Sequence, residues 1–295
     1  MSVGRNPRSR PVIEACVINT NNSQFAELAA RSLIATHAAA YKAADLRLTL
    51  LDNHSTDKGL DDLRAGTTEL GVIFEQTRWP IASASTNTHG DVLRDFVISR
   101  RDADYYLFVD SDIVFEKVGS VWTMLRELST HTGLWAVQAR FRNLEEARGP
   151  GSSLDISAGR GQRVWWRFEP VPPGRHKMKE ELILGEDQAR CHTACTLITN
   201  SAPFQLMCNI IGLSSVVVIS QDSERAGLYD TLAMGSLIMK THGLNYALSE
   251  AQVLHYFGMS YRDDPEVADA VKDCNCRLDV LRRNQRIGSS MPSLA

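Results

Sequence analysis

The sequence has no apolar run near the roughly 20 residues that a membrane-crossing helix needs. It has no excess of basic charge either: 32 Lys and Arg stand against 35 Asp and Glu, a formal net charge of -3. No bulk positive field therefore argues for nucleic acid as a partner. Met1 to Pro11 is basic and polar, but no pure apolar core follows it. It reads as a loose arm rather than a secretory leader. Six cysteines are scattered without regular spacing, which suits a reducing cytosol better than a disulfide framework and points to a cytoplasmic protein. Cys191-His192 with Cys195, and Cys274 with Cys276, complete no standard zinc spacing, and buried free thiols are the commoner outcome. No P-loop pattern occurs. Gly159-Arg160-Gly161 lacks the preceding strand and following helix start of a dinucleotide fingerprint. There is no internal repeat and no linker that separates two domains.

What is present is ordinary globular composition, 43% hydrophobic and 23% charged over 295 residues, with ample length to bury a core. Val12 to Ile18 reads as a first strand. A polar stretch, Asn19 to Ser23, precedes apolar residues at helical spacing (Phe25, Leu28, Ala29, Leu33), which predict a helix to about Tyr41. Leu46–Leu51, Val72–Gln76 and Tyr105–Val109 are further strands, with helices over about 57–68 and 88–99 between them. Val118, Val121, Trp122, Leu125 and Leu128 mark an amphipathic helix, and Leu134–Gln138 another strand. The pattern dissolves from Arg142 to Arg190, an irregular or hairpin-like stretch of the kind that is often functional. It includes the pair Trp165-Trp166, which suits either stacking on a sugar ring or a place in a core or interface. Strands return at Thr196–Thr199, Val216–Ile219 and Tyr246–Tyr256, with helices over about 229–241 and 265–285. Strand and helix alternating at short intervals predict an α/β fold, a mainly parallel sheet with helices on both faces.

In such sheets ligands bind beyond the carboxyl ends of the strands. Three of the first four strands end in similar polar tips: Asn19-Thr20-Asn21, Asp52-Asn53 and Asp110-Ser111-Asp112. Parallel strands would bring these tips to one crevice. Two carboxylates one residue apart repel unless something positive faces them, and a divalent cation suits their oxygens. Read singly, Asp110-Ser111-Asp112 is equally a turn with a helix cap, and Asp52-Asn53 an Asx turn.

At Val17-Ile18-Asn19-Thr20-Asn21, Leu50-Leu51-Asp52-Asn53-His54-Ser55-Thr56-Asp57 and Leu107-Phe108-Val109-Asp110-Ser111-Asp112, the chain resembles the nucleotide-sugar-dependent glycosyltransferases of the GT-A fold, in the family-2 style. The resemblance covers about residues 12–140, and the remainder in outline. It implies a Rossmann-like GT-A fold with an irregular acceptor-side region. By this resemblance Thr20 and Asn21 would line the nucleotide pocket, and Asp52 would accept a hydrogen bond from the base. Asp110, with Ser111 beside it, would face the ribose and the metal. Asp112 would bind the Mn2+ or Mg2+ that bridges the diphosphate. Asn87 takes the place of the family's Asn before the acidic motif, although Thr86 stands where an Arg is usual and the spacing to Asp110 is longer. The implied layout is a flexible arm over 1–11, a nucleotide-sugar-binding half over 12–140, an acceptor-binding and catalytic half over 141–262, and a C-terminal helix and tail over 263–295.

An inverting transfer also needs a base for the acceptor's proton. The family keeps an acidic residue at the start of a late helix, and Asp230 in Gly227-Leu228-Tyr229-Asp230 is the matching position, with Asp222 and Glu224 as alternatives. His255 follows an apolar strand, as does the late metal-ligand His of some GT-A enzymes, and it suits a core histidine equally well. The implied partners are a nucleotide-sugar donor, a UDP-sugar in first place, and a small-molecule or glycan acceptor. Two other readings remain: a nucleotidyltransferase that forms nucleotide sugars, against which the absence of Gly and Lys from Asn19–Ser23 counts, and a non-catalytic nucleotide-sugar-binding relative.

Overall fold

A computed structural model describes residues 10–38, 44–78, 89–142, 154–155, 163–168, 178–183, 191–214, 216–219, 226–229, 231–256 and 265–289. An eight-stranded sheet carries the core. Its strands are β1 (Val12–Asn19), β2 (Asp45–Asp52), β3 (Ile73–Gln76), β4 (Tyr105–Asp110), β5 (Ile113–Val114), β6 (Leu134–Phe141), β9 (Cys195–Thr199) and β12 (Asn245–His255). A four-stranded antiparallel sheet comprises β7 (Arg163–Phe168), β8 (Met178–Ile183), β10 (Val216–Ile219) and β11 (Ala226–Tyr229), in the order β10-β11-β7-β8. The helices are α1 (Ser23–Ala38), α2 (Leu60–Leu70), α3 (His89–Ser99), α4 (Ser120–Thr130), α5 (Ala202–Ile210), α6 (Ala233–Thr241) and α7 (Pro265–Ser289).

The large sheet runs β3-β2-β1-β4-β9-β6-β12-β5. β3, β2, β1 and β4 are mutually parallel, as are β6 and β12, while β9 lies antiparallel between β4 and β6. Both faces are covered, which is why β1 is buried along its whole length and reads as a nearly continuous apolar run. The period of two sorts each strand between two cores. Ile13, Ala15, Val17, Leu107 and Val109 face α1, α2 and α4, while Cys16, Ile18, Tyr106 and Phe108 face α3, α5 and α6.

The irregular middle holds the β7–β8 hairpin, which the sequence suggested only as one option, and joins it to β10 and β11. The late helix starts at Ala233 rather than near Tyr229, because Gly227, Leu228 and Tyr229 are used in β11 and Leu232 takes a left-handed φ of 64° at the helix cap. α5 has no counterpart in the sequence reading. Ser201 caps it by accepting a hydrogen bond from the Phe204 N–H (3.3 Å).

α7 docks across α1. α1 turns Ala26, Ala29, Ala30 and Leu33 to the sheet and Phe25 and Leu28 to the opposite side, where they meet Cys274 and Leu278 of α7 together with Val114 and Leu254. The C-terminal helix thus braces β5 and the end of β12.

The start of α3 is fixed by a close approach. A Cβ at Gly90 would lie 2.3 Å from Ser214 Cα and 2.5 Å from its N, and the Ser214 hydroxyl donates to Asp91 (2.5 Å). These are backbone atoms that no rotamer change can clear. Gly90→Ala is therefore expected to destabilise by about 1–3 kcal/mol or more, read as a lower urea midpoint at unchanged slope.

Candidate functional site

The strand order turns around between β1 and β4, since β2 and β3 lie on one side of β1 and β4 on the other. Crevices form at such a reversal. Register sets its walls: Asn19 sits opposite Asp52, and Ile18 opposite Asp110. Asp52 and Asp110 therefore flank the end of β1, two strand spacings or roughly 10 Å apart.

The β1 and β2 tips form one polar cluster. The buried Asn19 Nδ2 donates to Asp52 Oδ1, Ser55 Oγ and Ser23 Oγ, each at 3.0 Å. Asn21 has a left-handed φ of 55°, a conformation Asn tolerates. Its N–H donates to Ser55 Oγ (2.8 Å), and its Oδ1 accepts from the Thr56 N–H (2.7 Å). Asp52 has no exposed surface, and the Ser55 N–H approaches both of its oxygens at 3.3–3.4 Å. Asp57 accepts from the Ser23 hydroxyl (2.8 Å) and N–H (3.2 Å), tying the start of α1 to the β2 tip. Thr20 is exposed at the rim.

The second cluster is acidic and aromatic. β4 ends at Asp110, and the chain reverses into β5, which pairs antiparallel with the end of β12 so that His255 lies opposite Ile113. The Tyr256 N–H donates to the Asp112 carbonyl (2.9 Å). That pairing holds His255 Nε2 3.1 Å from Asp112 Oδ1. Asp110 is held from the other side by His89 Nε2 at 3.4 Å, and its N–H donates to the Ala194 carbonyl (2.8 Å). Burial by itself would raise the Asp110 pKa. Hydrogen bonding from His89 and the charges of His89, His192 and His255 outweigh that and hold the carboxyl down at about 2. Asp112 stays above the usual carboxylate range, because burial outweighs its contact with His255.

Asp110, Asp112 and His255 each offer a ligand atom within 4.8 Å of the others, and they form the sole such group of three or more among the described residues. Ligands around one cation at about 2.1 Å span at most about 4.2 Å, so the three need draw together only slightly. Two carboxylate oxygens suit a hard divalent cation such as Mn2+, to which an imidazole nitrogen is also acceptable, and the group lacks the thiolates that favour softer ions. The donor set fits such a cation. All six cysteines are free, and none joins a metal group among the described residues.

Of the residues singled out in the sequence, Thr20, Asn21, Asp52, Asp110, Ser111, Asp112 and His255 fall at this one edge, and Ser111 is buried between the two aspartates. Asn87, Asp222, Glu224 and Asp230 lie outside the described residues, and the side chains of Trp165 and Trp166 are likewise not described. The sequence reading missed His89, which opens the helix after Asn87 and meets an aspartate from another element. Ser55, the hub of the first cluster, was legible only as part of a polar tip.

No protein-family profile matches the chain, and no curated protein does. Among solved structures it is similar to the mannosyltransferase PcManGT from Pyrobaculum calidifontis, solved with GDP-Man and Mn2+, at 11% identity and a TM-score of 0.54 over 88% of this chain and 61% of that one. The chain thus spans about three-fifths of that protein's length. Glucosyl-3-phosphoglycerate synthase from Mycobacterium tuberculosis, in complex with Mn2+ and UDP-Glc, overlaps more narrowly, with 19% identity, a TM-score of 0.35, and 47% and 46% coverage of the two chains. The protein has the GT-A fold, an α/β fold with acidic strand tips at the strand reversal. Among the described residues no helix is long and apolar enough to cross a membrane.

Proposed function

We propose that the protein is a metal-dependent glycosyltransferase that moves a sugar from a nucleotide diphosphate donor to a hydroxyl acceptor with inversion at the anomeric carbon. The observation that carries this is the Asp110–Asp112–His255 group at the strand reversal, where α/β sheets bind ligands. The likeness to a fold solved with GDP-Man and Mn2+ supports a nucleotide-sugar donor. The family-2 resemblance favours a UDP-sugar.

Asp110, Asp112 and His255 would hold the cation. Bound there, Mn2+ or Mg2+ would supply Lewis-acid stabilisation of the charge that develops on the diphosphate. Thr20 and Asn21 would line the nucleotide pocket, with Asn87 beside it. Asp52 would accept a hydrogen bond from the base. Because it is fully buried, the tip residues around it must give way first. In the reaction the acceptor oxygen bonds to the anomeric carbon as the carbon–oxygen bond to the diphosphate breaks. The electron pair of that bond leaves with the diphosphate, and the acceptor proton passes to a carboxylate. Asp230 is our candidate for that base, with Asp222 and Glu224 as alternatives. Residues 12–140 would form the donor half, and 141–262 the acceptor half.

A thermal-shift panel of nucleoside diphosphates and nucleotide sugars with Mn2+ tests the reading, because a ligand that binds only the native state raises apparent stability. The expected result is an upward shift that needs both nucleotide and metal. No shift with any nucleoside diphosphate in Mn2+ would overturn it.

A further inference from the structure

The strands that bring Asp112 and His255 together have little pairing of their own. β5 is two residues long and lies at the end of the sheet order, where Ile113 and Val114 pair with His255 and Leu254 of β12. Two-stranded pairing this short is marginal by itself. Metal ligands, in contrast, have to be held to within about 0.5 Å.

α7 supplies what the strands lack. Successive residues of an extended chain face opposite ways. His255 therefore meets Asp112, while Leu254 and Tyr256 pack with Phe25, Cys274 and Leu278. The Tyr256 ring stands edge-on to Phe25 at 5.4 Å. Its N–H donates to the Asp112 carbonyl (2.9 Å), and its hydroxyl donates to Asp273 of α7. One helical turn on, Arg277 donates to the same Asp273 oxygen (2.8 Å) and to Glu116 (2.9 Å). Glu116 lies just beyond β5. The contacts close a ring, from Asp112 through Tyr256, Asp273, Arg277 and Glu116 and back along β5. Burial by itself would raise the Asp273 pKa, but the hydrogen bonds from Tyr256 and Arg277 outweigh it and hold the carboxyl low. The ring thus turns on one carboxylate with two donors.

We propose that Tyr256 is a positioning residue for the metal group, and that its hydroxyl, anchored on Asp273 and Arg277, sets where His255 stands relative to Asp112. The assignment rests on the reading of Asp110, Asp112 and His255 as metal ligands and deepens it. The hydroxyl acts through the backbone. The peptide between His255 and Tyr256 is pinned to the Asp112 carbonyl on one side and, through the Tyr256 side chain, to α7 on the other. Without the hydroxyl the ring still packs on Phe25, but the ligand-bearing peptide loses its tie to the helix.

The test is Mn2+ titration, followed by the electron paramagnetic resonance signal of the free ion, of the wild type, Tyr256→Phe, Asp273→Ala and the double variant. It is run well below every melting temperature, so that the affinity of the folded protein is read. Arg282→Ala is the control, because it cuts the other anchor of α7, on Glu27 (3.0 Å), and leaves the Tyr256 link in place. Outer partners of metal ligands are worth ten- to a hundredfold in affinity, and each single variant is expected to weaken Mn2+ binding about tenfold. The double variant should be no weaker than Asp273→Ala alone, since both cut one link. Arg282→Ala should melt earlier and bind Mn2+ as the wild type does. Wild-type affinity in Tyr256→Phe would overturn the assignment, as would losses that multiply in the double variant or an equal loss in Arg282→Ala. A wild type that takes up no Mn2+ would overturn the metal reading itself, and the assignment with it.

Discussion

Glu27→Ala is expected to lower the free energy of unfolding by about 3–5 kcal/mol, the range for breaking a buried ion pair by removing one partner. Glu27 and Arg31 are 2% and 1% exposed, one helical turn apart on α1, and joined at 2.7 Å. Arg31 also reaches Glu69 of α2 (2.8 Å) and Gln285 of α7, while Arg282 of α7 closes on Glu27 (3.0 Å). α2 comes this close because Gly66 has no Cβ, which would lie 2.8 Å from Glu27 Oε1. Removing Glu27 leaves the buried Arg31 guanidinium with the half-exposed Glu69 as its remaining carboxylate partner and puts it beside a second cation, Arg282. Urea unfolding measures the loss. The exposed pair Arg64–Asp61, at 3.8 Å with Asp61 95% exposed, is the control. Arg64→Ala is expected to change stability by less than about 1 kcal/mol. A loss from Glu27→Ala no larger than the control's would refute the view that this cluster clamps α7 to the body that carries β5 and β12.

The second large effect is at the crevice. Asp112→Asn is expected to weaken Mn2+ binding by at least about a hundredfold, since even outer partners of metal ligands are worth ten- to a hundredfold. Asparagine keeps the shape beside His255 and removes the charge. Burial disfavours the Asp112 anion in the metal-free protein, so the loss of that charge does not threaten folding. The melting temperature in EDTA should equal or exceed that of the wild type. A variant that binds Mn2+ as tightly as the wild type would remove Asp112 from the site.

The parallel half of the fold was legible because both faces of its sheet are covered. β1 and β4 are then apolar but for Glu14 until their tips, and β2 runs through Leu50-Leu51 into Asp52, so a polar tip stands out. The metal group was legible in its parts: Asp110-Ser111-Asp112 as a charge conflict, and His255 as a polar residue closing an apolar strand. Their meeting was implied only by the family resemblance, because it depends on the β5–β12 pairing across nearly half of the chain. His89 was invisible for the same reason. α5 was overlooked because its outer face is apolar as well: Leu206 and Ile210 are 60% and 72% exposed, and the helical alternation is blurred although Ser201 and Pro203 mark its start. The direction of β9 could not be read either, since a buried antiparallel strand between two neighbours has the same apolar run as a parallel one. Asp52 looked like a residue waiting for a ligand, and in the structure it holds its own tip together.

The central claim is that Asp110, Asp112 and His255 close around one divalent cation in a nucleotide-binding crevice. Titration of the protein into Mn2+, followed by the electron paramagnetic resonance signal of the free ion, tests it most directly. The account predicts uptake of one equivalent of Mn2+ per chain, tighter when a nucleoside diphosphate is present and lost in Asp112→Asn. An undiminished free-ion signal with protein and nucleotide in excess, or equal uptake by the variant, would contradict it.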